Sequence, residues 1–171
     1  MIGVVAASKH GSTSEIADTV ADELRQAGLE VDRRAAEEVT SLDGFDAVVL
    51  GSPVYGGRWL EGARRLLSEQ SAALAARPVW LFSVGPVGDP PKPDAPERGE
   101  LRDAAAAIRA REHRVFTGRL DRSLLSRTER LMVRAVRAPD GDFRDWEEIR
   151  TWTRSIADTL DVEGGPPPSG G

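Results

Sequence analysis

The hydrophobic residues along the chain follow two alternating patterns. Short apolar runs, typical of strands buried on both faces, occupy 2–7, 46–51 and 78–84. Residues 29–33 alternate as in an outer strand, and 114–117 are predicted to form a fifth strand. Between them, apolar residues recur every three or four positions, as in amphipathic helices. Strands that alternate with helices predict an α/β fold, a doubly wound parallel sheet with helices on both faces. Ligands of such sheets bind beyond the carboxyl ends of the strands.

Local signals predict where the helices begin and end. Ser12 and Glu15 form the S/T-x-x-E pattern of a capping box, with Ser12 as the cap of the first helix. Gly28 is expected to end that helix. The apolar spacing predicts a second, long helix over 60–74 and a third over 101–108.

The C-terminal part of the chain predicts two more helices. The first, over 124–136, is strongly basic and is followed by a turn at 139–141. Asp142 or Asp145 is expected to cap the final helix, whose tryptophans lie on its apolar side. Residues 163–171 have no apolar side chain to bury and are predicted to form a disordered tail.

The loop after the first strand, S-K-H-G-S-T, is rich in hydrogen-bond donors and precedes a helix. A helix N-terminus offers free backbone N–H groups and a positive dipole end, which suit a phosphate. The loop has neither the Walker spacing nor the three glycines of G-x-G-x-x-G, so a terminal phosphate monoester fits it better than a pyrophosphate. In the simpler alternative, the hydroxyls only cap the helix. The candidate phosphate ligands are Ser8, His10, Gly11, Ser12 and Thr13.

The loops after the third and fourth strands could hold a flat ring. In the first of them, Tyr55 or Trp59 could stack on a heterocycle, and the glycine pair could bring backbone groups to its edge. Trp59 could equally fill the core. The other loop offers small residues and backbone groups. The candidates are Ser52, Pro53, Val54, Tyr55, Gly56, Gly57 and Trp59 in one loop and Val84, Gly85, Pro86, Val87 and Gly88 in the other.

The composition narrows the classes of function. The chain has 171 residues, 40% hydrophobic and 30% charged, which suits one domain over 1–162 followed by the tail. Without cysteine, thiol catalysis, Cys-ligated zinc and iron–sulfur clusters are excluded, and with two histidines we expect no protein-built metal site. A net charge of −5 argues against nucleic-acid binding. No apolar run is long enough to span a membrane and no basic-flanked leader is present, so we expect a cytoplasmic protein.

The three loops resemble the cofactor loops of flavodoxins. S-K-H-G-S-T is similar to the T/S-x-T-G-x-T loop that binds the phosphate of flavin mononucleotide (FMN). G-S-P-V-Y-G-G and S-V-G-P-V-G are similar to the two loops that enclose the isoalloxazine ring. The resemblance covers most of 1–120 and implies a five-stranded flavodoxin-like sheet, ordered 2-1-3-4-5, that binds FMN. Further along, G-R-L-D-R-S-L-L-S-R-T-E-R-L-M-V-R and G-D-F-R-D-W-E-E-I-R-T-W resemble the branch of menaquinone-dependent protoporphyrinogen dehydrogenases. This implies electron transfer from a tetrapyrrole precursor to a quinone.

The sequence also departs from the flavodoxin pattern. Ser8 and His10 stand where flavodoxins often have threonine, and the third loop lacks the tyrosine that many electron carriers stack on the ring. The chain is less acidic than most such carriers. Since strong negative charge near the ring disfavours the anionic reduced flavin, its absence favours an enzyme that uses the flavin directly over an electron shuttle.

Positive charge is concentrated in one part of this acidic chain. Nine arginines stand against three acidic residues between positions 109 and 137. The predicted basic helix could contact an anionic membrane, which would give access to a quinone pool, or bind porphyrin propionates. Its arginines could also be solvated or paired with nearby acids. The candidate contacts are Arg127, Arg130, Arg134 and Arg137.

These patterns predict an FMN-dependent oxidoreductase in which the flavin carries the chemistry and no side chain is catalytic. Its expected partners are a redox donor and a redox acceptor, which the resemblance identifies as a porphyrinogen and a quinone. Two alternatives remain open. A soluble one-electron carrier would turn over neither substrate, and a flavin-free module that docks an acidic partner or a membrane would have no flavin affinity. The pattern determines neither the redox potential nor the oligomeric state.

Overall fold

The computed structural model of the chain describes residues 1–85, 99–120, 123 and 141–164. The first part contains β1 (Ile2–Ala6), α1 (Ser12–Gln26), β2 (Val31–Ala35), a 3₁₀ helix (Ala36–Glu38), β3 (Ala47–Tyr55) and β4 (Arg58–Trp59). It continues with α2 (Glu61–Glu69), α3 (Ser71–Ala75) and β5 (Val79–Val84). Beyond the gap lie α4 (Gly99–Ala107), β6 (Glu112–Phe116), β7 (Arg119–Leu120), β8 (Gly141–Asp142) and a final helix, Trp146–Gly164, which we number α5.

A parallel sheet in the order β2-β1-β3-β5-β6 forms the centre of the molecule. These are the five strands that the sequence analysis predicts, so the predicted class is confirmed, as is the strand order 2-1-3-4-5 that the flavodoxin resemblance implies. The pattern does not reveal three short strands. β4 pairs with the end of β3, and β7 pairs with β8 in a separate ribbon.

Each face of the sheet has its own core. Because side chains alternate along a strand, Val4 and Ala6 pack towards α1 and α5, whereas Val5 packs with the residues of α2 on the opposite face. The ring of Phe82, on β5, lies directly against Gly51 of the neighbouring strand β3. A Cβ on Gly51 would lie 2.0 Å from that ring, so a side chain at this position is incompatible with the packing.

The predicted capping box is wrong. Gly11 is the N-cap of α1, with φ +85°, and Ser12 is already helical. The Ser12 hydroxyl instead accepts the Arg119 N–H at 3.1 Å, and the Glu15 carboxylate pairs with two arginines. Partners from distant parts of the chain have replaced the local reciprocal bonds. The predicted helix end is confirmed, because Gly28 has φ +89° at the C-terminus.

Other differences are confined to element boundaries. β2 starts two residues later than predicted because Leu29 N–H still bonds to Leu24 O at the end of α1, at 3.1 Å. The single helix predicted over 60–74 is two helices, α2 and α3, which meet at Gln70. Asp145 caps α5, since its carboxylate accepts the Glu148 N–H at 2.9 Å. α5 runs to Gly164, two residues into the segment assigned to the tail.

Several predicted features lie outside the described residues. They are the basic helix over 124–136, the first two residues of the turn at 139–141, and 165–171 of the tail.

Candidate functional site

The three predicted loops lie at one edge of the sheet. Ala6 is in register with Gly51, and Pro53 is in register with Val84, so β1, β3 and β5 end side by side. This edge holds the carboxyl ends of the parallel strands, where sheets of this type bind their ligands.

The first loop combines a helix N-terminus with two hydroxyls. The Ser8 hydroxyl accepts the Ser14 N–H at 3.3 Å, and the Ser12 hydroxyl accepts the Arg119 N–H at 3.1 Å. A hydroxyl that accepts through a lone pair keeps its own hydrogen for another acceptor. Gly11 turns the chain with φ +85°, which a residue with a side chain rarely adopts. The Glu15 N–H already bonds to Gly11 O at 2.9 Å, so the N–H groups at the start of α1 that lack an intrahelical carbonyl and are not taken by Ser8 are those of Ser12 and Thr13. The loop therefore suits an anion.

The second loop is a β-hairpin whose strands are joined by a two-residue turn. Val54 pairs with Trp59, and Tyr55 pairs with Arg58. Gly56 and Gly57 at the tip have φ values of +57° and +77°. Two successive positive φ angles are typical of a type I′ turn, which explains the glycine pair. We call residues 54–59 the ring hairpin.

The first loop contacts the ring hairpin. The Lys9 ammonium lies 5.7 Å from the centre of the Tyr55 ring, and the His10 ring meets Tyr55 edge-on at 6.4 Å. Tyr55 is 41% exposed, so its ring is accessible beside the loop. Thr13, by contrast, is buried. The fold thus brings together the predicted phosphate loop and a predicted ring contact 40 or more residues away in sequence.

Three candidates of the second loop are buried at the base of the ring hairpin. The Ser52 hydroxyl donates to Pro53 O and accepts the Leu60 N–H, both at 2.9 Å. Pro53 is buried. Trp59 lies in the core, and its indole N–H donates to the Ser83 hydroxyl at 2.8 Å. These side chains support the ring hairpin from below rather than forming its surface.

The third loop begins beside the ring hairpin. Gly85 has φ +125°, and its N–H bonds to Phe116 O at 2.9 Å. A Cβ on Gly85 would lie 3.9 Å from Val54 O, so the two loops are neighbours at this point. Val84 is buried. The remaining candidates, Pro86, Val87 and Gly88, lie outside the described residues.

Sequence reasoning missed a group of charges next to the first loop. Arg144, with a side chain only 3% exposed, bonds to Glu15 at 2.6 Å and to Asp142 at 2.5 Å. Arg119 pairs with the other carboxylate oxygen of Glu15, at 3.2 Å. The Arg144 guanidinium also lies 4.4 Å from the centre of the Trp146 ring. The group ties the β7–β8 ribbon to the first turn of α1.

The same contacts shift two pKa values. The hydrogen bond from Arg144 holds the pKa of the Asp142 carboxyl below its ordinary value, against the opposing effect of burial. In return, the hydrogen bond to Asp142 raises the pKa of the Arg144 guanidinium. Both groups therefore stay charged at neutral pH.

A groove of about 380 Å³ opens beside Gly57, between α2 and α4. Arg58 and Arg64 stand at this groove and both pair with Glu100, at 2.8 and 3.4 Å. The hydrogen bond from Arg58 lowers the pKa of the Glu100 carboxyl. Leu67 contributes to the apolar part of the lining. The groove adjoins the tip of the ring hairpin.

Within 1–85, 99–120 and 141–164, no helix is long and apolar enough to cross a membrane.

A doubly wound sheet of this strand order, with a donor-rich loop before α1 and two glycine-containing loops at one edge, is typical of flavodoxin-like proteins. The chain belongs to the flavodoxin domain family, whose family model matches residues 4–146. Membership of this family implies a flavin cofactor.

Relatives and solved structures support the same assignment. The protoporphyrinogen IX dehydrogenase (quinone) of Escherichia coli strain K12 is 22% identical over 172 residues, covering 92% of this chain and 95% of the relative. Oxidised flavodoxin 2 from Bacillus cereus superposes with a TM-score of 0.64 at 19% identity, covering 92% of this chain and 98% of that one. The rubredoxin oxygen:oxidoreductase of Desulfovibrio gigas superposes with a TM-score of 0.66 at 15% identity. The superposition covers 96% of this chain and 37% of the D. gigas protein.

Proposed function

We propose that this protein is an FMN-dependent oxidoreductase that transfers electrons from a reduced tetrapyrrole precursor to a quinone. The observation that carries the flavin part is the convergence of three loops at one sheet edge. The anion-binding loop, the ring hairpin and Gly85 adjoin one another there. The proposed substrates rest on the similarity to the E. coli dehydrogenase, which covers nearly all of both chains.

The residues present fit FMN. An anion at the start of α1 would meet first-turn N–H groups and the hydroxyls of Ser8 and Ser12. At the other end of the site, a Cβ added to Gly56 would meet nothing within 4 Å, so the hairpin tip leaves room for a ring. We assign the phosphate to Ser8, His10, Gly11, Ser12 and Thr13, and the ring to the space between 54–57 and 84–88.

When bound, FMN supplies the electron transfer, and the protein supplies binding, orientation and electrostatics. The first loop holds the phosphate and thereby sets the position of the ring. The backbone groups of Gly56, Gly57 and Gly85 can reach the ring edge because no side chain intervenes. Lys9 and His10 place donors and positive charge beside Tyr55.

Flavin titration tests the phosphate assignment directly. The purified chain, stripped of any flavin, is titrated with FMN and with riboflavin, which lacks the phosphate, while visible absorption is followed. We expect FMN to bind more tightly, and Ser12→Ala to weaken FMN by about tenfold to a hundredfold with little effect on riboflavin. Ser155→Ala is the matched control, because Ser155 is exposed on α5 and its hydroxyl donates to Trp152 O within the same helix. Failure to bind FMN, or equal affinity for both flavins, would contradict the assignment.

The oxidoreductase is distinguished from an electron carrier by turnover. The FMN-loaded protein is given a porphyrinogen and a quinone without oxygen, and the formation of fluorescent porphyrin is measured. The proposed enzyme oxidises the porphyrinogen and reduces the quinone to quinol. A carrier of flavodoxin type would show no turnover and would be reduced in two well-separated one-electron steps.

We also propose that the basic segment contacts an anionic group at this site. Its four candidate arginines lie outside the described residues, but its described flanks, β7 and β8, pair with each other. β7 is tied to the first loop through the bond from Arg119 N–H to Ser12. The segment therefore leaves and rejoins the described fold beside the proposed phosphate site.

Charge removal tests this contact. Arg127, Arg130, Arg134 and Arg137 are changed together to glutamine, and the control changes Arg25, Arg102, Arg150 and Arg154 in the same way. If the segment binds the porphyrinogen carboxylates, only the first variant raises KM. If it binds anionic lipid at the inner face of the membrane, only the first variant loses binding to vesicles that contain phosphatidylglycerol. If KM and vesicle binding are both unchanged in the first variant, both roles are excluded.

A further inference from the structure

Three polar groups form a hydrogen-bonded chain beneath the ring hairpin. The Trp59 indole N–H donates to the Ser83 hydroxyl oxygen, and the Ser83 Oγ lies 2.8 Å from His113 Nε2. Trp59 and Ser83 are 4% and 2% exposed. The Trp59 and His113 rings also meet edge-on, with their centres 6.1 Å apart. The three side chains come from three different strands.

The hydrogen bonds among Trp59, Ser83 and His113 connect the ring hairpin to β5, which the third loop follows, and to β6. Trp59 pairs with Val54 at the base of the hairpin. Ser83 lies two residues before Gly85 on β5, and His113 lies on the neighbouring strand, β6. The position of Trp59 is therefore linked to both loops proposed to enclose the ring.

The chemistry of the indole requires an acceptor at this place. An indole N–H can only donate, and leaving such a donor buried without an acceptor is costly. Ser83 supplies the acceptor, and its hydroxyl has enough bonding capacity left to pair with His113 as well.

The ring hairpin is held at both ends. β4 consists of two residues, and so short a hairpin has little stability of its own. Towards its tip, Arg58 pairs with Glu100 at 2.8 Å through exposed side chains, and Tyr55 meets Lys9 and His10. At its base, the Trp59 indole donates to Ser83, and Leu60 N–H donates to the Ser52 hydroxyl. Because a buried hydrogen bond is costlier to lose than an exposed ion pair, we expect the bond to Ser83 to help set the angle at which the hairpin leaves the sheet.

We infer that Ser83 is a positioning residue for the flavin ring: through the indole of Trp59 it holds the ring hairpin in place, and His113 orients its hydroxyl. The inference rests on the proposed function in one respect, namely that the ring hairpin lines the flavin. In the sequence analysis, Ser83 appears only as the first residue of the S-V-G-P-V-G motif, His113 has no role, and Trp59 is a ring contact or a core residue.

The test compares Ser83→Ala, Trp59→Phe and the double variant. The phenylalanine keeps an aromatic ring in the core but has no N–H. We expect each single change to weaken FMN binding by about five- to thirtyfold, the range of one lost buried hydrogen bond, and the double variant to be no weaker than the worse single one. The visible spectrum of bound FMN is expected to shift in both. Ser83→Thr keeps the hydroxyl and is expected to retain the wild-type spectrum.

Trp152→Phe is the matched control. Trp152 is also buried, and its indole N–H also donates to an oxygen, Glu112 Oε2, at 3.0 Å. It lies in the core on the opposite face of the sheet. This variant loses the same groups from the same kind of environment without touching the ring hairpin. His113→Phe tests the outer member of the chain and is expected to have a smaller effect than Ser83→Ala.

Amide hydrogen exchange in the flavin-free protein separates this inference from the proposed function. Faster exchange of residues 54–60 in Ser83→Ala and Trp59→Phe, but not in Trp152→Phe, supports the positioning role. Unchanged exchange in this segment, or a loss of FMN affinity equal to that of Trp152→Phe, would overturn it. If the wild-type chain binds no FMN, the proposed function fails, and the exchange data still decide whether Ser83 holds the hairpin.

Discussion

Replacing Arg144 with methionine is expected to destabilise the protein and to loosen the attachment of the β7–β8 ribbon to α1. The Arg144 side chain is 3% exposed and bonds to Asp142 and Glu15. Methionine fills much of the same space but has no donor. Both carboxylates therefore lose a charged partner that is nearly excluded from water.

The magnitude follows from how exposed the two carboxylates are. Breaking a fully buried ion pair costs about 3–5 kcal/mol. Here the side chains of Asp142 and Glu15 are 41% and 45% exposed, so water can solvate them once Arg144 is gone. We reduce this contribution to about 1–2 kcal/mol, and loss of the contact with the Trp146 ring adds about 1 kcal/mol. The expected loss of unfolding free energy is about 2–3 kcal/mol.

Urea denaturation measures this loss without adding salt that would screen the charges. The control is Arg154→Met. Arg154 pairs with Glu23 but is 54% exposed, so we expect a loss below about 1 kcal/mol. If Arg144→Met unfolds at the same urea concentration as Arg154→Met, the assignment of a structural role to the buried guanidinium is wrong. An unchanged m-value is needed for the comparison.

The same pair predicts a dependence on pH. Arg144 lowers the pKa of Asp142 in the folded state relative to the unfolded state. The pair therefore stabilises the fold above the unfolded pKa of about 3.9, and this contribution is lost as the pH falls through the lower, folded pKa. The difference in stability between wild type and Arg144→Met should be larger at neutral pH than in acid below the folded pKa of Asp142. A constant difference over this range would contradict the pairing.

Three further substitutions test the fold around the site. Gly51→Ala places a Cβ 2.0 Å from the Phe82 ring and should cost about 1–3 kcal/mol or more in urea unfolding. Gly28→Ala meets no atom within 4 Å, so only its φ of +89° opposes it, and a loss of about 1–2 kcal/mol is expected. Asp145→Ala removes the acceptor for Glu148 N–H at the start of α5 and should cost about 0.5–2 kcal/mol, whereas Asp145→Asn should largely keep it. A Gly51→Ala variant as stable as the wild-type protein would contradict the close packing of Gly51 on Phe82.

Much of the fold and part of the site could be predicted from the order of residues. Apolar runs identified β1, β3 and β5 because a strand buried on both faces needs apolar residues at successive positions. The outer strands β2 and β6 are only partly buried, and the alternation along 29–33 pointed to the first of them. The glycine pair at 56 and 57 was expected to reach positive φ and bring backbone groups to a ring edge, and both residues have positive φ in the structure. Hydroxyls before a helix marked the first loop as a candidate phosphate site because a helix N-terminus attracts anions. These are properties of single residues and of short segments.

Only the tertiary structure decided which partners the polar side chains chose. Ser12 could have capped α1, but it accepts a bond from Arg119, 107 residues away in sequence. Trp59 could have faced a ligand, but it is buried, and its indole N–H donates to Ser83 on another strand. Periodicity records whether a position is buried, since burial repeats with the geometry of a helix or strand. It carries no information on which donor meets which acceptor, because that depends on how the elements pack in three dimensions.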